Sequence, residues 1–281
     1  MDSALNGQKT GSGGLRAYFL LTYAVMLSTW GVMALFRIPG TAVASRSAQP
    51  APGALLLFLL GGFSPTIAGV VMTGRVEGRG GLRDLWARAK RTHLGWTWYA
   101  AILAAPVLVL AARIAVHVGR GGVLGASPLL TRPFGLLGFT LPIIVSGPLS
   151  EEFGWRGFAL DRLLTGRGGG AADLILGGFW AFWHLPLFFI PGTIQQLHGR
   201  PAVEFPIFTL QVLGLTVLFN RLYRETNRSL FAVILAHTAF NWFYSFAETF
   251  MNGGVLSRLV NAGAIAALAG ILIIGRRSPA N

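Results

Sequence analysis

Eight apolar stretches, each close to the ~20 residues a helix needs to cross a bilayer, dominate this 281-residue chain. They lie near residues 17–36, 54–73, 97–118, 134–150, 174–191, 206–222, 229–247 and 255–275. Lipid offers no partners to backbone N–H and C=O groups, so segments of this length must satisfy them internally, as helices. The expected fold is therefore all-α, a polytopic transmembrane helical bundle of about eight spans. Residues 1–16 are polar and Gly/Ser-rich and read as a disordered cytoplasmic tail. Residues 17–275 read as one transmembrane domain and 276–281 as a second cytoplasmic tail. No soluble domain fits between the spans. The composition, 53% hydrophobic and 12% charged, is too apolar for an ordinary soluble domain. The first stretch follows Lys9 and Arg16 and precedes "TAVAS" at 41–45, a cleavage-like segment. Its apolar core exceeds that of a typical signal peptide, so it is read as a retained span.

The formal net charge of +13 would fit a nucleic-acid partner only if the basic residues formed a separate surface. They instead flank the apolar stretches, so no nucleic-acid partner is expected. Arg75, Arg79, Arg83, Arg88, Lys90 and Arg91 lie between the second and third stretches. Arg221, Arg224 and Arg228 lie between the sixth and seventh, and Arg276 and Arg277 follow the last. The alternate connections hold fewer: Arg37, Arg46, Arg120, Arg132 and Arg200. Positive charge gathers on the cytoplasmic side, which places both termini in the cytoplasm. Lysine is confined to Lys9 and Lys90, a usage that points to a GC-rich bacterial genome and hence a bacterial plasma membrane. "LRDLWARAKRTHLGW" at 82–96 places Leu82, Leu85, Trp86 and Ala89 on one face. It reads either as a surface helix on anionic lipid or as a basic loop that sets topology. The absence of cysteine excludes disulfides and thiolate-bound metals.

Ionisable groups within such stretches are costly and face the bundle interior with partners. Three groups occur. In "SGPLSEEFGWRGFAL" (146–160), a continuous helix makes Glu152 and Arg156 an i, i+4 pair and turns Glu151 about 100° away. One carboxylate is then compensated and its neighbour is left available as a base. His184 lies in the aromatic "FWAFWHLPLFF". His237 and Asn241, in "HTAFN", share one helix face. Each has a structural alternative: a helix-end ion pair, a packed histidine, an interhelical hydrogen bond. Together, a carboxylate, two imidazoles and a carboxamide supply what water activation and oxyanion stabilisation need. They also make an acceptable divalent-metal site.

"EEFGWR", His184 and "HTAFN", in this order on a multi-span chain, resemble the EExxxR, FxxxH and HxxxN/D motifs of the CPBP (Abi, CAAX-protease-like) family of intramembrane proteases. The resemblance covers about residues 140–245. One position departs: four residues before His184 stands Trp180 where the family has phenylalanine. The resemblance implies an endopeptidase acting on a membrane-associated or lipidated peptide. Glu151 would be the general base, aided by Glu152. His184 would position the water, His237 and Asn241 would stabilise the oxyanion, and Arg156 would hold the glutamate helix. It also implies Glu151, His184 and His237 as ligands of a divalent metal such as zinc, or a metal-free glutamate mechanism. Membrane lipid and a peptide substrate are the expected partners. The chain carries neither HExxH nor GxSxG. Two other classes remain open: a non-enzymatic immunity or adaptor protein on the same scaffold, and an ion-coupled transporter. The first is disfavoured by the complete Glu/His/His/Asn set, the second by the lack of an internal repeat.

Overall fold

The computed structural model describes residues 2–40, 52–129, 135–251 and 253–275. The "TAVAS" segment, Arg46, Arg132, Arg276 and Arg277 lie outside them. The chain opens with α1 (Asp2–Met26), which runs through a π-helical turn, Leu27–Gly31, into α2 (Val32–Leu35). Then come α3 (Pro52–Gly62), α4 (Ser64–Ala89), α5 (Trp96–Gly119), α6 (Gly135–Ser146) and α7 (Pro148–Gly154). A second π-helical segment, Trp155–Leu160, leads into α8 (Asp161–Leu164). After α9 (Gly169–Trp183) and a 3-10 turn, Leu185–Phe188, follow α10 (Ile194–Leu197), α11 (Pro201–Glu225), α12 (Leu230–Ala247) and α13 (Gly254–Ile274). Among the described residues there is no strand. The all-α membrane bundle is thus observed. The first helix already begins at Asp2, within the stretch read as a tail.

The expected count of eight spans is corrected. Among the described residues five helices are long and apolar enough to cross a bilayer: Gly14–Leu35, Trp96–Gly119, Pro201–Glu225, Leu230–Ala247 and Gly254–Ile274. The pair α3 and α4, bent by 54°, makes a sixth if it is one span. The stretches near 134–150 and 174–191 do not qualify, for local backbone reasons. Gly147 adopts φ −120°, ψ −95°, outside the helical region, and Pro148 has no N–H to carry the helix across. The second stretch ends as a regular helix at Trp183 because Pro186 cannot donate to the carbonyl of Phe182, and the chain tightens into the 3-10 turn.

The interrupted elements still fill the bundle. Asp161, just beyond the π-helical segment, lies 3.2 Å from Arg88 Nη1 and 2.6 Å from Arg228 Nη2. It therefore sits beside both basic segments. Asp173, early in α9, meets Arg224 Nη1, late in α11, at 3.3 Å, so these two helices run antiparallel as neighbours. In the 82–96 segment Leu85 is fully buried and Arg88 nearly so, whereas Trp86 is 54% exposed. The apolar face expected there is thus split between the interior and the surface.

Two glycines bring the backbones of α4 and α7 into contact. A Cβ on Gly154 would fall 2.2 Å from the carbonyl oxygen of Pro65, and one on Gly69 would fall 2.8 Å from Gly154 Cα. Such approaches are how membrane helices gain close packing where lipid removes the hydrophobic drive between them. Here they seat the short helix that carries both glutamates against a long one.

Candidate active site

Glu151 and Glu152 project from α7 and Arg156 from the π-helical segment. The i, i+4 pair read from the sequence is present: Arg156 Nη1 donates to both oxygens of Glu152, at 3.0 Å each. Both side chains are completely buried. The guanidinium also donates from Nε to Asn220 Oδ1, at 3.0 Å, and its Cζ lies 4.6 Å from the ring centre of Trp180 and 5.4 Å from that of Phe219. Asn220 in turn donates to Asp173 Oδ1 at 2.8 Å, the carboxylate that Arg224 reaches. A chain of buried polar contacts therefore runs from α7 across α11 to α9.

His237, on α12, lies with Nδ1 2.7 Å from Glu152 Oε1. A carboxylate there makes Nδ1 the protonated nitrogen and leaves Nε2 directed elsewhere. A Cβ placed on Gly147 would lie 4.0 Å from this Nε2 and 2.9 Å from Asn241 Nδ2. The helix break at Gly147 thus lies beside the imidazole and the carboxamide, i, i+4 neighbours on α12. His184, at the end of α9, has Nδ1 2.8 Å from the carbonyl oxygen of Trp180. A carbonyl can only accept, so Nδ1 carries the proton and Nε2 is an acceptor.

Glu151 contrasts with Glu152. Its hydrogen-bond donor among the described residues is the indole N–H of Trp180, which reaches Oε2. Glu152 is occupied on both oxygens, whereas Oε1 of Glu151 is left for a further donor. Glu151, Glu152, His184 and His237 are 3%, 0%, 9% and 3% exposed, so all four side chains are buried. Asn241 lines a separate cavity of about 10 Å³ with Arg113, Tyr244 and Asn261, room for about one water.

Glu151, His184 and His237 were the expected metal ligands. Among the described residues no three His, Asp or Glu side chains are gathered as a metal would require, although each imidazole, with Nδ1 on a protein acceptor, keeps Nε2 as the nitrogen a metal would take. The reaction proposed below is written for water.

Sequence reasoning missed Trp180 as a polar contributor, and missed Asn220 and Asp173 altogether. Asn220 carried a signal, an amide near the end of an apolar stretch. Trp180 was visible only as an aromatic that departs from the motif.

Residues 133–243 match the family model "Type II CAAX prenyl endopeptidase Rce1-like", a region that contains every candidate residue above. This match agrees with the resemblance of the segment's motifs to the CPBP family of CAAX-protease-like proteins. The chain is also 28% identical over 92 residues to "CAAX prenyl protease 2" of Methanococcus maripaludis, an alignment covering 32% of this chain and 34% of that protein. The chain thus matches about a third of the length of this curated relative.

Proposed function

We propose that this integral membrane protein is a CAAX-type intramembrane endopeptidase that hydrolyses a peptide bond of a prenylated, membrane-associated substrate. It sits in a bacterial plasma membrane with its basic segments cytoplasmic. The observation that carries the reading is the unequal state of the paired glutamates: Glu152 is fully engaged by Arg156 and His237, and Glu151 keeps one oxygen available.

In this reading a water donates one hydrogen to Glu151 Oε1 and the other to His184 Nε2. Its lone pair is left to attack the scissile carbonyl. Glu151 takes the proton as the C–O bond forms. The oxyanion is met by Asn241 Nδ2 and by His237 Nε2. Because Nδ1 of His237 already donates to Glu152, Nε2 can donate only in the imidazolium form, for which Glu152 is the counter-ion. Collapse breaks the C–N bond, and Glu151 returns its proton to the leaving amine. Arg156 acts through Glu152, not on substrate.

The test is cleavage of a fluorogenic farnesylated CAAX-type peptide by the purified protein in liposomes, with the unprenylated peptide alongside. Prenyl-dependent cleavage that withstands 1,10-phenanthroline is expected. No cleavage of any prenylated peptide would refute the reading, and loss of activity with the chelator, restored by zinc, would refute the metal-free route.

A further inference from the structure

We infer that Trp180 is a positioning residue for the reaction, and that its indole N–H, not merely its aromatic bulk, sets the direction of the Glu151 carboxylate. The inference rests on the protease reading above.

Three contacts converge on this side chain and its own backbone. The indole Nε1–H donates to Glu151 Oε2. The carbonyl of the same residue accepts from His184 Nδ1 at 2.8 Å. The ring lies under the Arg156 guanidinium at 4.6 Å and edge-on to His237, with centroids 5.4 Å apart. Trp180 is 2% exposed, so its orientation is fixed by packing on every side.

The consequences are directional. A glutamate side chain has three rotatable bonds, and among the described residues no Arg, Lys or His lies within ion-pair distance of Glu151 as Arg156 does of Glu152. A donor on Oε2 selects one carboxylate orientation and leaves Oε1 as the oxygen that meets water. The carbonyl of Trp180 holds His184 in the tautomer whose Nε2 accepts. One residue thus arranges two acceptors around the attacking water, which must donate both hydrogens to leave a lone pair for the carbonyl. A phenylalanine at this position would keep the ring against Arg156 and His237 but offer nothing to Oε2.

The decisive variants are Trp180→Phe and replacement of Trp180 by benzothienylalanine, the indole isostere with sulfur in place of N–H. The isostere preserves shape, so any effect belongs to the donor. Loss of one hydrogen bond to a charged acceptor predicts a fall in kcat of about 10-fold to 100-fold, with KM for the prenylated peptide within about twofold. The indole 15N–1H resonance of Trp180, assigned by its absence in Trp180→Phe, should move upfield in Glu151→Gln, where the charged acceptor is lost. An isostere with kcat within twofold of the unsubstituted protein would overturn the inference and leave the protease reading intact. So would an indole resonance indifferent to Glu151→Gln. Failure of the unsubstituted protein to cleave would overturn the protease reading itself.

Discussion

Arg156→Ala isolates the contact that organises the site. The guanidinium is wholly buried, pairs with both oxygens of a wholly buried Glu152, and donates to Asn220. Its removal strands a carboxylate in the interior of a bundle, a change that costs about 3–5 kcal/mol. His237 remains on Glu152 Oε1, which holds the loss towards the lower end. Arg162 is the control. It pairs with Glu77, whose side chain is 43% exposed, so Arg162→Ala should cost about 1 kcal/mol or less through that pair. At roughly 2–4 °C per kcal/mol for a chain of this size, the midpoint of thermal unfolding in detergent should fall by roughly 10 °C for Arg156→Ala and by a few degrees for Arg162→Ala. The double variant Glu152→Gln/Arg156→Met removes both charges together and should recover a good part of the loss, since the penalty belongs to the unpaired partner. Equal midpoints for the two alanine variants, or a double variant worse than the single one, would refute the reasoning.

Glu151→Gln keeps the shape of the site and removes the base; it should unfold at the same temperature and cleave at least ~10²-fold more slowly. Asn241→Ala should cost a similar factor in kcat through the oxyanion, read in the same peptide assay. Gly147→Ala places a methyl 2.9 Å from Asn241 Nδ2 and 3.1 Å from the carbonyl oxygen of Ile143; cleavage should fall about 10-fold for a stability change of about 1 kcal/mol. The chain has no cysteine, so single cysteines at Lys90, Asn227 and Arg120 report sidedness directly. The first two should label only from the cytoplasm and the third only from outside, and external labelling at position 90 would refute the orientation.

The sequence announced the long helices well, because lipid forces a continuous apolar run to satisfy its own backbone. Six of the eight stretches match the observed candidate spans, one of them as the bent pair. The other two contained Gly147–Pro148 and Pro186, and an average over apolar residues does not register a backbone that leaves the helix. The Glu152–Arg156 pair was legible because i, i+4 neighbours meet on any regular helix, and it survives the π-helical widening that begins at Trp155. The contact of His237 with Glu152 joins residues 85 apart, and no local period encodes it. Trp180 was judged by bulk, since spacing places a side chain on a face without saying which of its atoms meets a partner.

Glu151, Glu152 and His184 sit at the two interrupted stretches, whereas His237 and Asn241 come from the uninterrupted α12. A break leaves backbone polar groups that need partners inside the bundle, and polar side chains of α11 and α12 meet those of the interrupted elements there. Their charge balance then constrains the reaction. Glu151, Glu152 and Asp173 face Arg156 and Arg224 in one connected network, three carboxylates against two guanidinium groups. A neutral interior needs one more proton, and the geometry offers it two seats, Glu151 or His237. With the proton on Glu151 the site has no base. The hydrolysis proposed above needs the second arrangement, a free carboxylate on Glu151 for the water together with an N–H on His237 for the oxyanion, and Glu152 hydrogen-bonds His237 and not Glu151.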